Sequence, residues 1–114
     1  MADITTLLPP IDAGIEQEIV AFDYGMVLTN ATISTVVAIN IFVLSGVDPA
    51  PTSRVIGSSQ VAPSPTTGVA ATAVLQKFGN MLDQVVYGLQ CVALTSDGQT
   101  LCCDAELPSR KPFG

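Results

Sequence analysis

The chain has no histidine. That removes the commonest general base and the commonest metal ligand together. Tryptophan is absent as well, and aromatics are only 5% of residues, which leaves few ring platforms of the kind that stack on sugars. Charged residues make up 12%, about half the usual share, so part of the surface is expected to be covered by something other than water. The basic residues are Arg54, Lys77, Arg110 and Lys111; they form no stripe, and the net charge is −6. A binder of phosphate backbones needs clustered lysine and arginine to displace counterions, so nucleic-acid binding is excluded as an expectation. No run of roughly 20 apolar residues exists to span a bilayer; residues 33–44 are the most apolar stretch and carry Ser34, Thr35 and Asn40. The opening MADITTLLPP has neither a basic leader nor a long apolar segment, so no signal peptide is expected.

The chemistry-bearing residues that are present are sparse. Cys91, Cys102 and Cys103 are three in number and include no Cys-x-x-Cys spacing; Cys102 and Cys103 are adjacent and point to opposite faces of a strand. An odd count without an export signal reads as reduced thiols in a cytosolic product. Asp12, Glu16, Glu18 and Asp23 gather near the N-terminus, but Glu-x-Glu on a strand reads as a solvated face rather than an acid–base pair. No glycine-rich loop joins a strand to a helix, and no serine is accompanied by a base. No enzymatic activity, cofactor, metal or membrane partner is expected.

At 114 residues the chain supports one packed core. Residues 1–15 read as an extended N-terminal arm, because Pro9 and Pro10 bar regular helix or an inner strand. Ile4, Leu7, Leu8 and Ile11 would make that arm a solubility liability unless they met a partner, so Ile4, Leu7, Leu8, Pro9, Pro10 and Ile11 are candidate partner-binding residues on a neighbouring subunit. Residues 16–114 read as a β-domain. Residues 16–24 alternate as a strand, which residues 26–29 extend past a kink at Gly25. Residues 33–44 (ISTVVAINIFVL) are β-branched and apolar on both faces, the pattern of a central strand or of one whose outer face a partner covers. Residues 45–53 form a loop, residues 54–58 a short strand, and Val61 sits in at most a weak edge strand beside Pro63 and Pro65. Residues 69–78 alternate as a strand, with a short helix as the competing reading. The following turn (GNMLDQ) shows an exposed-looking pair, Met81 and Leu82, which joins the candidate partner contacts.

Residues 85–107 read as a hairpin around Ser96-Asp97-Gly98. A two-residue turn would place Asp104 and Glu106 on the face of Tyr87 and Leu89. A three-residue loop with Gly98 left-handed instead sets Ala93 opposite Leu101, Cys91 opposite Cys103, Leu89 opposite Ala105 and Tyr87 opposite Leu107. Burial selects the second register, with Cys91 and Cys103 as small buried thiols. Pro108 is expected to end the last strand. About seven short strands with turn signals every 8–12 residues give an all-β fold, an immunoglobulin-like β-sandwich of antiparallel strands carrying an extended arm.

The segments FDYGMVL (22–28), TISTVVAINIFVLSGVDPAPTSRVIG (32–57), YGLQCVALTSDGQTL (87–101) and the closing AELP resemble, in this order, a family of small virion proteins of tailed bacteriophages. In that pattern a Phe-Asp segment precedes a long β run ending in Ser-Gly-x-Asp. Pro-x-x-Arg-x-x-Gly follows, and then a Tyr-x-Leu strand into Thr-Ser-Asp-Gly. The family's frequent tryptophan near position 35 is missing here, and the arm is more apolar than the pattern. The resemblance implies an Ig-like, non-enzymatic structural protein of the virion, made in the host cytoplasm, that joins other virion proteins (portal, neck, tail or fibre) as a neck, collar or fibre–tail adaptor and forms a homo-oligomer in the assembly. A capsid decoration protein on the major capsid protein is the near alternative, and a carbohydrate- or cell-surface-binding module the alternative of another class.

Overall fold

The computed structural model describes residues 3–7, 11–12, 17–28 and 30–110. Among these described residues the strands are, in order, β1 (Asp3–Leu7), β2 (Ile11–Asp12), β3 (Gln17–Asp23), β4 (Ile33–Ser45), β5 (Val55–Ala62), β6 (Ala73–Gly79), β7 (Val85–Thr95) and β8 (Thr100–Arg110), and a 3-10 turn covers Pro51–Arg54. The larger sheet runs β1-β8-β7-β4, with β2 also on β8, and the smaller runs β3-β6-β5. The chain is an all-β sandwich. Among the described residues no helix is long and apolar enough to cross a membrane.

The core lies between the sheets and follows from alternation. Tyr87, Leu89, Cys91 and Ala93 of β7 and Leu101, Cys103, Ala105 and Leu107 of β8 are all buried. They face Val20 and Phe22 of β3 and Val74 and Phe78 of β6, with Phe22 and Phe78 meeting edge-on at 6.4 Å. Tyr24 ties the layers together by donating its hydroxyl hydrogen to the Cys91 carbonyl at 2.7 Å.

The β7–β8 hairpin has the register expected from burial: Cys91 opposes Cys103 and Tyr87 opposes Leu107. Gly98 is left-handed at φ +86°, and Thr95 N–H donates to the Gln99 carbonyl at 2.8 Å, closing a three-residue loop. Strand β8 continues through Pro108 rather than stopping there. Pro108 opposes Val86 of β7 and lies between the arm-side pairs Leu7–Glu106 and Ile11–Ser109.

Several other expectations are corrected. Strand β4 is the free edge of the larger sheet, not a central strand. Its pairing with β7 shifts register between Ile33 and Thr35, Val36 and Ala38, and Val43 and Ser45. Each bulge reverses parity, which is why apolar residues fall on both faces of the sequence pattern. The inner face keeps Ile33 and Ile41, while Val37 (58% exposed), Phe42 (51%) and Leu44 (52%) stand outside. Residues 25–27 turn instead of extending β3: the Val27 and Leu28 N–H groups both donate to the Tyr24 carbonyl. The two weak strands expected around residues 54–62 are one strand, β5, with an irregularity between Ile56 and Gln60. Met81 is a core residue at 1% exposure and Leu82 packs against the core, so the apolar pair expected on a turn surface is an anchor of the fold.

Candidate interaction surface

The residue pairs of the larger sheet define its outer face row by row. Asn40, Gln90 and Asp104 form one row, and Asn40 Nδ2 donates to Gln90 Oε1 at 3.0 Å. The next row is Phe42, Gly88 and Glu106. Gly88 has no side chain to fill its place, and Leu44 leans over it: a Cβ built there would stand 3.1 Å from Leu44 Cδ2. The result is a depression of about 220 Å³ with Phe42 and Leu44 on one side and Asp104 and Glu106 on the other. Asp104 Oδ1 is buried and finds no hydrogen-bond partner. An aromatic and an aliphatic wall opposite two carboxylates is suited to an apolar surface that carries a cation.

The loop that follows β4 is held by a buried carboxylate. Asp48 is 8% exposed and accepts from Arg54 Nε (2.9 Å) and Nη2 (3.0 Å), from the Ala50 N–H (2.9 Å) and from the Tyr87 hydroxyl (2.7 Å). Tyr87 Oη in turn accepts the Leu82 N–H at 2.9 Å. The loop after β4, the 3-10 turn and the entry to β7 are thereby pinned to one another. The Arg54 guanidinium is the main reason that the Asp48 carboxyl drops to about 2, with Tyr87 and the Ala50 amide adding to it against the cost of burial.

The cysteines hold no site. Hydrogen-bonded and non-hydrogen-bonded pairs alternate along an antiparallel ladder, and the Thr95–Gln99 closing pair is hydrogen-bonded. Counting back by twos makes Cys91–Cys103 hydrogen-bonded also, the arrangement that sets opposed side chains farther apart. Both are free thiols; burial pushes Cys91 up to about 11 and Cys103 up to about 12. Among the described residues no group of three or more Cys, Asp or Glu could hold a metal ion.

The sequence-derived partner residues are spread over the fold. Ile4 and Leu7 lie in β1 opposite Cys103 and Glu106, and Ile11 lies in β2 opposite Ser109. The arm's strands β1 and β2 therefore pair in parallel with β8 of their own chain, where contact with a neighbouring subunit was the expectation. Leu8, Pro9 and Pro10 lie outside the described residues. Met81 and Leu82 belong to the core and its edge. The hairpin register already set Asp104 and Glu106 outward; what sequence reasoning missed is that Phe42 and Leu44 stand beside them, which the bulges of β4 concealed. Comparison with protein-family models, with curated proteins and with solved structures finds no match to this chain.

Proposed function

We propose that this chain is a non-enzymatic assembly protein, a structural component of a tailed-bacteriophage virion that joins other virion proteins at the neck, collar or fibre–tail junction. The observation that carries the protein-binding part of this reading is the outward pair Phe42 and Leu44, each about half exposed beside the Asp104–Glu106 carboxylates. Large apolar side chains grouped on one sheet face cost solubility unless another surface covers them. The virion part rests on the resemblance of the segments around residues 22–28, 32–57 and 87–101.

An immunoglobulin-like assignment of the sandwich is supported by two features. The order β4-β7-β8 facing β3-β6-β5 is that of the C-F-G and B-E-D strands of such domains. Tyr87 near the start of β7 accepts an amide hydrogen bond from five residues upstream, the geometry of a tyrosine corner.

The test is to locate and count the chain in purified particles of the phage that encodes it. A position at the portal–tail axis with few copies per particle supports the adaptor reading. Copies that scale with the capsomers point to decoration of the head instead, and absence from particles ends the virion reading.

A further inference from the structure

The opposite outer face of the sandwich, on the smaller sheet, offers a complement to the depression over Gly88. Here the row across β3-β6-β5 is Ile19, Lys77 and Ile56, followed by Ala21, Leu75 and Gln60. Ile19 is 59% exposed, and Lys77 stands between the two isoleucines over a hollow of about 330 Å³ beside the irregular stretch of β5. Among the described residues no carboxylate forms an ion pair with Lys77; Arg54 is the cation that Asp48 holds. Thus one outer face is apolar with a cation, and the other is apolar with two carboxylates.

We infer that these two faces bind each other between successive copies of this chain, with Lys77 of one copy entering the depression beside Asp104 and Glu106 of the next and Ile19 packing on Phe42 and Leu44. The faces lie on opposite sides of the sandwich, so the contact is head-to-tail and stacks copies in one direction. Such a contact closes into a ring or runs on as a filament, and it cannot stop at a symmetric dimer. Charge favours a second copy in this orientation: joining two large-sheet faces would bring together Asp104 and Glu106 of both copies, whereas Lys77 of the small-sheet face offers them a counter-charge. The inference rests on the reading of this chain as an assembly protein and specifies one of its contacts.

Sedimentation velocity of the full chain tests it, with Phe42→Asp and Ile19→Asp as variants. Both positions are about half exposed, and circular dichroism and thermal melts of each variant check that the fold is kept. The wild type should form species larger than a dimer as concentration rises, and salt should weaken them. Each variant alone should be monomeric. Mixed in equal amounts they should give a one-to-one dimer and nothing larger, because each supplies the one intact face that the other lacks. A wild type that stays monomeric at the highest attainable concentration overturns the inference. So does an Ile19→Asp protein that still dimerises, which would mean contact through the large-sheet face alone. Neither result bears on whether the chain is found in particles, so failure here is separable from failure of the virion reading.

Discussion

At the scale of single residues, Asp48 is where the fold is most exposed to one change. Its carboxylate satisfies a guanidinium, a phenol and an amide at once, and its side chain is fully buried. Asp48→Ala would leave Arg54 and the Tyr87 hydroxyl without their acceptor, a loss of about 3 kcal/mol in urea unfolding. The same group sets an acid limit. Its folded pKa, about 2, lies below the ordinary carboxyl value, so its contribution is complete above about pH 4 and is lost as pH falls through 2. Wild-type stability should drop over that window by an amount on the order of 2 kcal/mol more than that of Asp48→Ala, read from denaturant midpoints at stepped pH. Cys91 and Cys103 give a third expectation. Held protonated by burial, they should resist alkylation in the native protein and react once it is unfolded, with all three thiols titrating without reductant. Only one thiol under those conditions would mean a disulfide.

At the scale of elements, the hairpin was legible and β4 was not, for one physical reason. The facing runs of β7 and β8 keep a strict period of two, so the buried side chains alone fix the register. In β4 three register shifts reverse the inward parity, and the sequence pattern averages to a strand apolar on both sides. The arm was legible as extended backbone, but its partner was not, because pairing in cis or in trans uses the same main-chain hydrogen bonds. The structure puts β1 and β2 on β8 of the same chain. Removing residues 1–12 should therefore bare the β8 edge. A lower melting temperature and greater aggregation of the truncated protein are the expected outcome, and an unchanged melt would show that the arm contributes nothing to the isolated domain. Gly98→Ala should cost about 1 kcal/mol, because the loop needs a left-handed residue there and alanine is strained at φ +86°.

At the scale of the molecule, low charge and outward apolar residues come together. The sandwich buries a core between its sheets, yet it leaves Phe42 and Leu44 on one face and Ile19 on the other. The absence of histidine and the scarcity of charge already suggested a covered surface rather than a reactive one. Which apolar residues stand outward became visible only once the bulges of β4 were placed. The central claim is that another polypeptide lies on the outer face of β4, β7 and β8 in the assembled state. Carbene footprinting of Phe42 and Leu44, in the isolated chain diluted to the monomer and in intact particles, measures this cover. Both residues should label strongly in the monomer and lose that labelling in the particle; equal labelling in the two states would mean that no polypeptide covers this face.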